Sequence, residues 1–275
     1  MGALLGLLSS VMIGLSDLFG RKIVRVAGVV TGSLTLQLAA MSTALLSVLL
    51  FGGVFTTRDL LIGALSGLGM GVALGAYYSG ITVSSATIVS PIVATLSAII
   101  PLGYAIVRGA SPSLLALLGS AIAIVGLVVI TTGGGTVTHL AKKGLWWATA
   151  SGVAYGAAFA VVLEATDDAG PWPAVWQRVG GAAVLLVVVK QRSGMVLPPR
   201  GSRVSGVLAG VFAGLCSVAY IAGVRIDASA TVITASTFPA ASVVVGKLAF
   251  DDPVSRRQVV GLVVVLLGVV AVALG

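Results

Sequence analysis

The stretch Gly63-Ala64-Leu65-Ser66-Gly67-Leu68-Gly69-Met70-Gly71 decides how this chain is read. It returns 143 positions later as Gly206-Val207-Leu208-Ala209-Gly210-Val211-Phe212-Ala213-Gly214. The echo continues outward. Tyr77 and Gly80 return as Tyr220 and Gly223, and Ser85-Ala86-Thr87-Ile88-Val89-Ser90 returns as Ser229-Ala230-Thr231-Val232-Ile233-Thr234. Gly119 and Gly126 return as Gly261 and Gly268, and the offset slips only between 142 and 144. A period this long marks two copies of a half-protein, not a solenoid.

Composition sets the class. Of 275 residues, 58% are hydrophobic and 9% charged, with a mean hydropathy of +1.15. Soluble domains carry about 25% charged residues, so this chain cannot cover itself with polar surface in water. It reads as an all-α integral membrane protein of the cell (plasma) membrane. The net charge of +8 follows from Lys and Arg in short loops beside membrane helices and calls for no nucleic acid. Cys216 is the single cysteine, which excludes an intramolecular disulfide and a multi-thiolate metal site. Met1–Gly20 has no basic segment before its apolar run, and reads as a retained first helix, not a signal peptide.

A membrane helix needs about 20 apolar residues, whereas barrel strands would alternate polar and apolar positions. The apolar runs here are long and unalternating. They predict helices near Ala3–Gly20, Thr31–Phe51, Asp59–Gly80, Ser85–Val107 and Pro112–Thr132. A second set is predicted near Gly144–Leu163, Ala174–Lys190, Arg203–Gly223, Ser229–Phe250 and Arg256–Leu274. The organisation is thus a first five-helix repeat at 1–132, a linker at 133–143 holding Gly133 to Gly135, and a second repeat at 144–275. Five is odd, so the second copy enters the bilayer from the opposite side. Ten transmembrane helices in two inverted repeats place a substrate site near the midplane between them.

Gly63, Gly67, Gly71 and Gly75, like Gly206, Gly210 and Gly214, form i, i+4 ladders that let helix backbones meet closely. These glycines are structural; a sliding surface used in conformational change is the sharper reading of the same feature. Pro91, Pro101 and Pro239 interrupt the fourth helix of each copy, freeing backbone groups that neighbours or cavity water must satisfy. Hydroxyls crowd there: Ser84, Ser85, Thr87, Ser90 and Thr95 in the first copy, Thr231, Thr234, Ser236 and Thr237 in the second. They either line a cavity or bond back to their own helix.

The first helix reads Gly14-Leu15-Ser16-Asp17-Leu18-Phe19-Gly20-Arg21-Lys22 and the seventh Trp176-Gln177-Arg178-Val179-Gly180. Together with the small-residue fourth helices and the closing glycines, these positions resemble the EamA-like transporters of the drug/metabolite transporter superfamily. The first copy departs from that pattern by placing Gln37 where the second has Arg178, and the fourth helices end in Arg108-Gly109 and Asp251-Asp252 rather than Gly-Glu. The resemblance implies a carrier for small polar metabolites, amino-acid-like or related, working as an exporter.

Charges inside a membrane are functional candidates by default. Arg178 is the foremost, because a guanidinium fork either reaches the interface or binds a carboxylate in two places. Asp17 pairs with Arg21 at the interface on the plainer reading, or lines the cavity and carries a proton on the sharper one. Lys247 either snorkels to Asp251 or contacts substrate. Tyr77, Tyr78, Tyr155, Tyr220 and Thr95 complete the candidate cavity. Trp146 and Trp147 read as an interfacial belt, and Glu164 and the Asp167-Asp168 and Asp251-Asp252 pairs as solvated helix ends. No Walker A sequence is present, and the sole histidine, His139, lies in the linker. No catalysis, metal or cofactor is therefore expected. The expected partners are a small-molecule substrate and the lipid bilayer, with a homodimer left open. A non-transporting membrane scaffold or subunit is the rival reading, and an intramembrane enzyme a more distant one.

Loop charge predicts orientation. Arg21, Lys22, Arg25, Lys142, Lys143, Lys190, Arg192, Arg200, Arg203, Arg256 and Arg257 share one side, against Arg58, Arg108 and Arg225 on the other. Both termini are then outside, whereas the family resemblance implies termini inside. A C-terminal fusion to a reporter active only in the cytoplasm is expected to stay dark; a bright fusion reverses the assignment.

Overall fold

The structure is a computed structural model that describes residues 1–109, 111, 113–132, 139–192, 194–226, 231, 234–235 and 237–274. Its α-helices are α1 (Gly2–Ala27), α2 (Val29–Phe51), α3 (Thr57–Val83), α4 (Ala86–Val107), α5 (Leu114–Thr132), α6 (His139–Val162), α7 (Trp172–Gln191), α8 (Arg203–Ile226), α9 (Phe238–Phe250) and α10 (Arg256–Leu274). No strand occurs among the described residues. Among the described residues, seven helices are long and apolar enough to cross a membrane, and Leu114–Gly126 and Phe238–Phe250 are shorter apolar helices. Their outward faces carry bare aliphatic side chains, such as Leu49 (82% exposed), Val107 (85%) and Leu248 (81%). Such a surface suits lipid, not water.

Local chemistry fixes the helix ends. Gly28 alone separates α1 from α2, at φ 81°, and its N–H caps Val24 O. A Cβ there would meet nothing within 4 Å, so glycine is needed for the backbone angle and not for space. At the start of α3, Thr56 accepts the Asp59 amide (3.1 Å) and donates to the Asp59 carboxylate (2.5 Å), a capping arrangement. The Asp59 carboxylate also accepts from Thr166 N (2.9 Å) and Thr166 Oγ1 (2.8 Å), tying α3 to the segment after α6.

The fourth helices differ between the copies. α4 runs unbroken through Pro91 and Pro101. The single helix expected over Ser229–Phe250 is corrected: α9 begins at Phe238, with Pro239 in its first turn. There a proline costs nothing, because its missing N–H would be unsatisfied anyway; Thr231, Thr234 and Ala235 before it are helical, and Thr237 lies in a turn. The expected starts at Pro112 and Ser229, the glycines 133–135 and Ser236 lie outside the described residues.

Helix pairing repeats across the two copies. α3 packs on α6 and α7, while α8 packs on α1 and α2. α4 packs on α6, and α9 on α1; α2 meets α7, and α5 meets α10. Every one of these contacts maps onto another, or onto itself, when the first and second sets of five helices are exchanged. Apolar packing has its centre around Ile23, Leu74, Tyr78, Val89 and Ile92, with a smaller cluster at α2–α7 and another, Ala123, Val265 and Val269, at α5–α10.

Glycines make these contacts possible. A Cβ on Gly63 would lie 2.5 Å from Pro173 O, and one on Gly71 2.6 Å from Gly181 O, both on α7. Gly67 faces Gln177 O in the same seam. On α8, Gly206, Gly210 and Gly214 press against Thr35, Leu36 O with Ala39, and Thr43 of α2. α5 and α10 meet glycine to glycine, Gly119 against Gly268 and Gly126 against Gly261. Gly75 departs from the expected ladder, since its nearest neighbour would be Leu185 Cδ2 at 3.8 Å.

Alanine at Gly67 or Gly210 must push two backbones apart, which costs about 1–3 kcal/mol by overpacking. Thermal unfolding in detergent is expected to show a lower midpoint for both variants, with Gly75→Ala close to the parent protein. Equal midpoints for all three would remove the backbone-contact role from these seams.

Candidate functional site

Two polar groups lie inside the helix array. The first joins α1, α3, α4 and α9. Asp17 accepts the Tyr77 hydroxyl at 2.7 Å and the Ser242 hydroxyl on the same oxygen, and Tyr77 Oη is 3.0 Å from Ser90 Oγ. All four residues are buried, Ser90 completely. Tyr78 stands edge-on to Tyr77 with ring centres 5.4 Å apart. Its hydroxyl occupies the space a Cβ on Gly20 would need, which explains a glycine at that point of α1. A carboxylate removed from water requires such donors, because burying it unpaired is far costlier than burying a neutral amide.

The second group lies where α2 meets α7. Arg178 Nη1 donates to Gln37 Oε1 at 2.8 Å. Gln37 is fully buried, and its Nε2 has no partner among the described residues. Its amide is accommodated only because position 181 is glycine; a Cβ there would strike Gln37 Nε2. The Gln37 contact is the sole hydrogen bond of Arg178 among the described residues, and no carboxylate there pairs with it. A guanidinium offers five N–H donors, so most of its capacity is free. Thr95 on α4 and Ser33 on α2 are also buried with unpartnered hydroxyls. Tyr155 on α6 is half-buried, packs against the apolar cluster that holds Tyr77 and Tyr78, and stacks on Phe159 with ring centres 6.0 Å apart. Next to Arg178, Gln177 Nε2 donates to Ser66 Oγ (2.7 Å), which donates to Ala158 O (2.6 Å). This chain fastens α7, α3 and α6 together and holds Arg178 at a fixed depth.

Two candidates lie elsewhere. Tyr220 is 38% exposed, off the glycine stripe by which α8 packs. Lys247 is exposed on α9, and no ion pair to Asp251 occurs among the described residues. Trp146 is 62% exposed, with its ring edge-on to Trp147. The α4 hydroxyls divide: Ser90 serves Asp17, Thr87 donates to Pro253 O at 3.4 Å, and Ser97 bonds back to Ala94 O.

The sequence reading missed two ion pairs. Asp252 was expected in a solvated loop and Arg21 beside Asp17. Instead Arg21 forms a two-pronged bridge to Asp252, Nη1–Oδ2 and Nη2–Oδ1 both 2.9 Å, with the two side chains 5% and 7% exposed. The Ala86 amide, at the start of α4, donates to Asp252 Oδ2 at 3.0 Å, and the Phe250 ring lies 4.0 Å from the guanidinium. A separation of 231 residues hid the pair. At the other end of α4, Arg108 bridges Glu164 at 3.2 Å while Tyr104 donates to Glu164 at 2.8 Å. Glu164 is therefore paired as well as interfacial. No group of three or more His, Cys, Asp or Glu residues placed to hold a metal ion occurs among the described residues.

Comparison with known proteins was made for family, curated sequence and fold. No curated protein matches the chain. Among solved structures, one described only as "Crystal structure of protein" shares the fold: 98% of this chain and 95% of that chain superpose with a TM-score of 0.62 at 14% identity. Residues 142–274, which include Arg178, Glu164 and Asp252, match the EamA-like transporter family. Over these residues the chain is similar to the EamA-like transporter family of the drug/metabolite transporter superfamily, and its apolar helices make it a multi-pass integral membrane protein.

Proposed function

We propose that this protein is a secondary carrier of the plasma membrane that exports a small polar metabolite bearing a carboxylate, by alternating access. In this reading residues 1–132 are a diverged copy of the matched unit, and the ten helices form two inverted five-helix repeats. The exchange-symmetric helix pairing supports it, because α2 and α7 then meet on the pseudo-two-fold axis, where such carriers hold substrate. Substrate and bilayer are the partners the reading requires.

The observation that carries the proposal is the Arg178–Gln37 contact. Two equivalent positions of the repeats meet at 2.8 Å, and they hold an arginine without a carboxylate and an amide with an unused N–H. A guanidinium stays charged at any working pH and attracts an anion strongly where water is scarce. Gln37 Oε1 holds the guanidinium in place, while Gln37 Nε2 and the remaining guanidinium donors are free for a carboxylate. The asymmetry between the two positions gives the substrate one orientation at the axis.

Purified protein in liposomes, offered labelled amino acids and related carboxylates, tests this. Arg178→Gln is expected to reduce uptake about ten- to a hundredfold, the range of a hydrogen bond to a charged group. Arg178→Lys restores part of it, because the charge returns without the planar fork. Gln37→Ala is expected to cost less than Arg178→Gln, since the guanidinium and its remaining donors stay in place. Unchanged affinity and rate in folded Arg178→Gln protein would reduce this arginine to an anchor between helices.

A further inference from the structure

α4 is held by an ion pair at each of its ends, and the two pairs are equivalent under the repeat. Arg21 at the end of α1 and Glu164 just after α6 lie 143 positions apart; Arg108 after α4 and Asp252 after α9 lie 144 apart. Both offsets fall within the slip of the duplication. The polarity is reversed. In one pair the cation comes from the first helix of its copy and the anion follows the fourth; in the other the anion follows the first helix and the cation the fourth.

The pairs stand at opposite membrane faces. Asp252 holds the Ala86 amide that opens α4, whereas Arg108 follows its last residue, Val107. With 22 residues at about 1.5 Å each, these ends lie about 33 Å apart. Their states differ. Both bridges are two-pronged, but the Arg21–Asp252 contacts are 2.9 Å long with side chains 5% and 7% exposed, whereas the Arg108–Glu164 contacts are 3.2 Å long with side chains 62% and 31% exposed.

From this geometry we infer that the two ion pairs are alternating latches, one per membrane face, and that this structure has the Arg21–Asp252 face sealed and the Arg108–Glu164 face open. The inference rests on the alternating-access reading above. In the opposite state Arg108 and Glu164 are drawn into a buried bridge as Arg21 and Asp252 become solvated. α4 carries the exchange between the faces, with Pro91 and Pro101 within it as places to bend. The reversed polarity keeps the faces distinct, since a residue of one latch cannot replace its equivalent in the other. The latches are unequal in this state, because, of two two-pronged bridges, the buried, shorter one resists opening far more than the exposed one.

The test is a pair of spin-label distances in liposomes, in a Cys216→Ala background. One pair, Val26→Cys with Leu248→Cys, spans the sealed face; the other, Val107→Cys with Leu163→Cys, spans the open face, and all four positions are exposed. Without the latch variants, the first distance is expected to be mostly short and the second mostly long. Asp252→Asn should shift that ratio tenfold or more towards the reverse, and Glu164→Gln up to about fivefold the other way, the limit for an exposed pair. The exchanged pair Arg21→Asp with Asp252→Arg should return the ratio to within about twofold of the parent. It also keeps the test decisive if Asp252→Asn alone does not fold. If both states coexist and their ratio is the same in every variant, or both single variants move it in one direction, the latches are refuted while alternating access stands. If the two distances never change reciprocally in any variant, alternating access falls and the latches fall with it.

Discussion

Lipid gives two apolar helices no reason to prefer each other over the solvent around them. This fold therefore depends on backbone-to-backbone contact. Gly63, Gly67 and Gly71 bring α3 onto α7; Gly206, Gly210 and Gly214 bring α8 onto α2; Gly119 and Gly268 bring α5 onto α10. At such distances dispersion adds up along whole helix lengths. The positions of all polar groups follow from these seams. Gln37 reaches Arg178 because α2 and α7 each lie against a glycine-bearing helix, and because Gly181 leaves room for the amide.

Polar groups inside this frame fall into two kinds. Some are spent on one another, as where Tyr77 and Ser242 both donate to Asp17 Oδ2, and where Ser66 relays between Gln177 and Ala158 O. These fasten helices. Others are left with capacity, namely Arg178, Gln37 Nε2, Thr95 and Ser33. Burying such capacity costs stability, and a binding site is one physical reason for a fold to carry it.

Much of this was legible in the chain because it is local or repeated. The glycine seams appear as i, i+4 spacing, and the family resemblance sets position 37 against 178, at an offset of 141. The faces of helices were not legible. A helix apolar all round gives no periodicity to say which side meets protein, so Tyr77 and Tyr220, repeat-equivalents, could not be told apart; one is buried at 6% and the other exposed at 38%. Lys247 and Asp252 failed for a related reason. Both lie at the end of the same helix, and only the packing of α1 and α4 against that end buries one carboxylate and leaves the lysine outside. The Arg21–Asp252 bridge was also concealed by its own reversed polarity, since the position equivalent to Arg21 holds Glu164 and the one equivalent to Asp252 holds Arg108.

The central claim is that one site is presented to the two faces of the membrane in turn. Counterflow measures this directly: liposomes holding the purified protein are loaded with an unlabelled carboxylate metabolite that it transports, and entry of the labelled compound is followed without ATP. A carrier of this kind is expected to take up label faster into loaded than into empty vesicles, with a transient overshoot above the outside concentration. Equal entry into loaded and empty vesicles, or no entry for any compound tested, would contradict it.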